Sequence, residues 1–188
     1  MRKPTLIVFL FLITKLAFGQ GDENSLNGID KTVYDMWNCF TASNPEYKTN
    51  ELPDSDFFHN NEADANRLAK LIINGEKKAS SGLYAWYKAA NADLPKTGKL
   101  LIVTDFHGKA QAIIKTKKVD TIPFNKISSA YAALDMGTNI EPLEKWKKAH
   151  WVFFASAMEQ NGEQPTKNML IVCENFETIW TSKCTINE

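Results

Sequence analysis

The sequence is poor in the residues that mark unusual protein classes. Nine glycines and seven prolines among 188 residues leave no collagen-like period, no glycine-rich phosphate loop and no inter-domain linker. Three cysteines, Cys39, Cys173 and Cys184, are too few for a disulfide scaffold, and their spacing carries no zinc or redox motif. The three histidines, His59, His107 and His150, lie far apart with no acidic cluster at metal-ligand spacing, so no metal site and no cofactor are expected. No G-x-S-x-G elbow is present, which argues against a conventional hydrolase triad. Excess charge is missing too: 22 Lys and Arg balance 22 Asp and Glu, so no whole-molecule field draws in a polyanion.

What remains is an ordinary globular composition, 44% hydrophobic, 11% aromatic and 23% charged, at a length that suits one domain. Its first nineteen residues stand apart. Arg2 and Lys3 precede an apolar run from Leu6 to Ile13, and Ala17 and Gly19 occupy the small-residue positions of a cleavage site. This pattern predicts a secretory signal peptide over 1–19. The run is shorter than the roughly 20 residues of a spanning helix, and Lys15 ends it. Cleavage removes three basic residues and leaves 19 against 22 acidic. A periplasmic or secreted, mildly acidic protein is therefore expected, with no membrane attachment after cleavage. Export would let a disulfide persist, but an odd cysteine count leaves at least one thiol outside any intrachain pair. A buried free thiol is the plainer alternative.

Residues 20–29 are polar and read as a flexible lead-in to a domain over 30–182, with a tail at 183–188. Val33, Met36, Trp37 and Phe40 fall on one face of a helix that Asp30 is placed to cap. A second helix is expected from Glu62 to Asn74, with Ala65, Leu68, Ala69 and Ile72 inward. Leu100–Val103 and Gln111–Val119 read as strands joined by the turn Asp105-Phe106-His107-Gly108. Glu141–Gln160 is the strongest helical pattern, with Pro142 in its first turn and Leu143, Trp146, Ala149 or His150, Phe153 and Ala157 as its stripe. The apolar start of Asn168–Trp180 suits a strand buried on both faces. Together these elements predict an α+β domain with a mainly antiparallel sheet.

The stretch least like scaffold is GEKKASSGLYAWY, Gly75 to Tyr87. Lys77 and Ser80, three residues apart, have the chemistry of a base and a nucleophile, provided that the lysine is neutral. The bland alternative is that Lys77 and Lys78 complement a helix C-terminus and Ser80 is a turn or strand residue. Lys115 and Lys117 share a strand face; with Tyr84, Trp86 and Tyr87 they offer charge and stacking for a single-stranded nucleic acid or a base. Solvated edge-strand lysines are the equal alternative.

The ordered blocks NRLAKLIINGEKKASS, LPKTGKLLIVTDFHGKAQAIIKTKKVDTIPFNKI, PLEKWKKAHWVFF and MLIVCENFETIW resemble the ASCH domain family over about residues 31 to 180. The resemblance implies a PUA-like fold, a small β-barrel with packed helices and a cleft between the barrel and the second helix. It also implies RNA-related functions, with some relatives acting as ribonucleases or as amidohydrolases of acetylated cytidine. The family element G-x-K-x-x-T/S falls on Gly75, Lys77 and Ser80. In amidohydrolase members a Lys, a Thr and a Glu act together, so the resemblance gives Lys77 the base role and Ser80 the nucleophile role. Counting back from Trp146 puts Met136 and Thr138 where the family's glutamates stand, leaving Asp135 or Glu141 as the acidic substitute. Two expectations follow. One is binding of a nucleotide, nucleoside or single-stranded RNA in the cleft between barrel and second helix, with Lys77 and Ser80 lining it and Lys78, Ser81, Tyr84, Trp86, Tyr87, Lys115 and Lys117 as further ligand-binding residues. The other is a hydrolase of the same fold that uses Lys77, Ser80 and Asp135. A monomer is expected, and duplex DNA is not an expected partner.

Overall fold

The computed structural model describes Ser25–Leu26 and residues 28–181. The expected signal peptide, Cys184 and the tail lie outside the described residues. Part of the expected lead-in is paired: β1 (Ser25–Leu26) and β2 (Ile29–Asp30) form an antiparallel pair. Among the described residues the chain divides into two compact units, one built from those up to Ile73 with Leu100–Lys115 and 178–181, the other from Asn74–Lys99 and Thr116–Glu177.

In the first unit, α1 (Lys31–Ser43) starts where the sequence places its cap. Asp30 Oδ1 accepts from the Thr32 backbone N–H at 2.8 Å, satisfying one of the orphan donors of the first turn. Val33, Met36, Trp37 and Phe40 are all buried. They pack with Leu100, Ile102, Ala110 and Ile113, so the 3.6-residue period of the helix meets the two-residue period of the strands. β3 (Asp54–Asp56) pairs parallel with β5 (Leu100–Thr104), which makes the sheet mixed. Ala65, Ala69 and Ile72 of α2 (Glu62–Ile73) are buried as predicted, while Leu68 is half-buried. β5 runs antiparallel to β6 (Ala110–Pro123), with Leu101 opposite Ile114 and Ile102 opposite Ile113. The expected hairpin is therefore present, with a longer second strand. In this unit Cys39 is disulfide-bonded.

The second unit contains two elements absent from the sequence-based outline in the Gly75–Tyr87 stretch: β4 (Ala79–Leu83) and the short helix α3 (Tyr84–Ala89). β4 pairs antiparallel with β7 (Leu170–Trp180), Ser80 opposite Glu174 and Ser81 opposite Cys173. The strand order is β3-β5-β6-β7-β4, so β7 is flanked on both sides and its Ile171, Val172 and Cys173 are buried. Another unforeseen helix, α4 (Ser129–Met136), is capped by the Ser128 hydroxyl accepting from the Tyr131 N–H at 3.1 Å. It ends at Gly137 in the left-handed conformation that closes helices at low steric cost, φ 64°. α5 (Pro142–Gln160) follows, but its inner stripe is rotated from the expected one. Trp146 and Phe154 are fully buried, and Leu143 and Phe153 only partly so. The core joins Ala79, Leu83, Phe124, Tyr131, Trp146, Phe154, Ile171 and Cys173. No described helix is long and apolar enough to cross a membrane.

Candidate functional site

Three elements of the second unit, β4, α4 and α5, and the segment leading into β4 bring polar side chains to one buried point. Spacing explains the convergence: Tyr131 and Asp135 are one turn apart on α4, and Trp146 and His150 are one turn apart on α5. Lys77 precedes β4, and Ser81 sits on the strand face that also carries Ala79 and Leu83. Lys77 is 4% exposed and Asp135 2%. The Lys77 ammonium pairs with Asp135 Oδ1 and also donates to the Asp135 backbone carbonyl at 2.8 Å. It thereby serves one of the carbonyls left without intrahelical partners at a helix C-terminus, where a cation is favoured. Asp135 Oδ2 accepts from Ser81 Oγ at 2.5 Å and from the Trp146 indole N–H at 2.8 Å. His150 Nε2 lies 3.4 Å from the same oxygen, and its ring stacks on Trp146 with centroids 4.3 Å apart. Tyr131 Oη donates to the Ser80 carbonyl at 2.6 Å and lies 3.0 Å from Ser81 Oγ.

Burial alone would raise the pKa of Asp135. The charges of Lys77 and His150 and the bonds from Lys77 and Ser81 outweigh it, so the carboxyl is held below its ordinary value. The Tyr131 phenol is pushed well above its usual range, mainly by burial and also by the Asp135 charge. Burial likewise pushes the free Cys173 thiol up to about 12. Both Asp135 oxygens are occupied, so a base role for Lys77 would have to begin by breaking this ion pair. Glu141, the other acidic candidate, is exposed at the start of α5.

Ser80 is not part of this constellation. Strand alternation turns it to the opposite face from Ser81, beside Glu174. Ser81 therefore stands with the lysine and the carboxylate; the one-residue difference follows from where the strand begins. Lys78 is exposed, and its backbone bonds Leu134 and Phe176. Trp86 is a core residue, edge-on to Phe153 and Phe154 at 6.0 and 5.7 Å. Lys117 pairs with Glu177 at 3.0 Å, whereas Lys115 donates to Tyr47 Oη at 3.0 Å.

A separate hollow of about 330 Å³ runs along α3, lined by Tyr84, Tyr87, Lys88, Asn91, Ala92, Asp93 and Leu94. Two of the aromatics singled out in the sequence therefore line a concavity, and the third does not. Lys88 and Asn91 add a cation and an amide that the sequence-based site lacked; their position beyond the Gly75–Tyr87 stretch became informative only once α3 formed. Among the described residues no group of three or more His, Cys, Asp or Glu is placed to hold a metal ion.

The model of the ASCH domain matches residues 54–180. An ASCH domain structure from Lactobacillus crispatus JV V101 is 29% identical, with a TM-score of 0.75, over 82% of this chain and 98% of that one. A protein of Enterococcus faecalis V583 is 30% identical, with a TM-score of 0.71, over 80% of this chain and 90% of that one. None of the curated proteins compared matches. The α+β, PUA-like class expected from the sequence agrees with these folds. On the family match and the shared fold, the chain belongs to the ASCH domain family.

Proposed function

We propose that this is an exported ASCH domain that binds a nucleoside, a nucleotide or a short single-stranded RNA without hydrolysing it. The observation that carries the reading is the hollow along α3, where Tyr84, Tyr87, Lys88 and Asn91 stand together. Aromatic faces accept any base by stacking, and a lysine beside them suits a phosphate. A volume near 330 Å³ is at the small end of ligand pockets, fitting one nucleotide unit. The closed Lys77–Asp135 pair favours binding over hydrolysis, because neither group is left to begin a reaction. The disulfide at Cys39 supports the exported reading, since such a bridge persists in an oxidising compartment.

Calorimetric titration of nucleosides, nucleotides and short RNAs tests this. Tyr84→Ala is expected to weaken binding roughly 5- to 150-fold, the range of about 1–3 kcal/mol for a lost stacking platform. Lys88→Glu should weaken nucleotides more than nucleosides. Mass spectrometry of the same mixtures, with acetylated cytidine included, provides the opposing result: turnover that disappears in Lys77→Met overturns the binding-only reading in favour of a hydrolase. Absence of binding to every probe overturns it as well.

A further inference from the structure

The face of β4 opposite the Lys77–Asp135 network carries a second polar set. Ser80 is the direct antiparallel partner of Glu174, so the two side chains rise from one sheet face with Cβ atoms about 5 Å apart. Thr116 of β6 joins them, its Oγ1 donating to Glu174 Oε1 at 2.5 Å. Thr116 is 4% exposed and Ser80 7%. Among the described residues the Ser80 hydroxyl makes no hydrogen bond. No described side-chain polar atom is both fully buried and unpartnered, so that hydroxyl reaches the surface of an otherwise buried strand. The second Glu174 oxygen, Oε2, likewise has no partner among the described residues.

Burial raises the Glu174 pKa against the lowering effects of the Thr116 bond and the Lys99 charge. Tyr87 stands one residue pair further along this face. A Cβ on Gly82 would meet its ring at 3.6 Å, and Val172, opposite Gly82, packs with it. Tyr87 also walls the hollow along α3. A nearly buried hydroxyl and a carboxylate oxygen side by side offer one donor and one acceptor. Their complement is a planar edge on which an N–H stands next to a C=O or a ring nitrogen.

We infer that Ser80 and Glu174 form a recognition pair for the N–H-bearing edge of a nucleobase, with Thr116 positioning the carboxylate. The inference rests on the nucleoside-binding reading and adds which groups of the protein read the base. Thr116 holds one Glu174 oxygen, which turns the other toward the ligand. A ligand that cannot match the pair strands both groups without partners, and such sites discriminate strongly.

The test uses the full chain and calorimetric titration of adenosine, cytidine and uridine beside N6,N6-dimethyladenosine, N4,N4-dimethylcytidine and 3-methyluridine, which lack that N–H. The wild type is expected to bind the preferred parent nucleoside at least 10-fold more tightly than its methylated counterpart. Ser80→Ala and Glu174→Gln should each bind the parent at least 5-fold more weakly and lose most of the discrimination, with thermal melting confirming that both fold. If the wild type binds parent and methylated nucleosides equally, the inference falls. It also falls if both variants bind and discriminate as the wild type does while Tyr84→Ala binds weakly, an outcome that leaves the binding reading standing. If the wild type binds no nucleoside, the inference falls; if it binds no nucleotide or short RNA either, the binding reading falls with it.

Discussion

Asp135 shows how much a single buried carboxylate can organise. Its two oxygens and its backbone carbonyl take bonds from β4, its lead-in and α5. Replacing a buried pair by apolar groups can be neutral, but removing one partner leaves the other charge buried and uncompensated. Asp135→Ala is therefore expected to lose about 3–5 kcal/mol of stability, measured by urea unfolding. The pH dependence has a definite sign. Because the native pKa of Asp135 lies below its unfolded value, its contribution is complete above about pH 4 and is lost as pH falls through the native pKa. The difference between wild type and Asp135→Asn should shrink on acidification in that window; a difference unchanged down to pH 2 would contradict the ion pair as its source.

At the scale of elements, the helices were legible where a cap and a period agree. Asp30 capping α1 and the four buried residues of its stripe follow directly from sequence. Asp30→Ala should cost about 1 kcal/mol, read as a lower urea midpoint with an unchanged slope. The Thr32 hydroxyl adds a tie, accepting from the Ala110 N–H at 2.9 Å while donating to Asp30. By contrast, β4 was hidden because Ala-Ser-Ser-Gly-Leu has neither β-branched residues nor an apolar alternation; it is a strand because β7 offers it hydrogen-bonding partners. The stripe of α5 shifts for a related reason. Trp146 donates its indole N–H to the Asp135 carboxylate, and the face that follows takes His150, one of the two expected alternatives, and Phe154 in place of Phe153.

For the whole molecule, the neutral formal charge describes the complete sequence, whereas the proposed exported form would be mildly acidic. Intact mass of protein released from cells is expected to start at Gln20, with Cys39 alkylated only after reduction. Recovery of the full-length chain would remove the basis for export. Local charge matters more than the total: Lys117 and Lys118 are neutralised by Glu177 and Asp120, so the hairpin does not present the free basic strip that its lysines suggest. Exposed ion pairs of this kind contribute little stability, but they cancel the field a polyanion would sense.

The sequence alone determined the family, the inner faces of α1 and α2, the hairpin and the polar stretch around Lys77, because each is written in local period, turn residues or ordered motif blocks. Only the tertiary structure decided which side chains stand together. Asp135, not Glu141, meets Lys77, and Ser81, not Ser80, shares their face. The physical reason is the two-residue period of a strand: adjacent serines differ by one position in sequence but by opposite sides of a sheet in space. That same reversal frees Ser80 to stand beside Glu174, a partner almost a hundred residues away that no local pattern could announce.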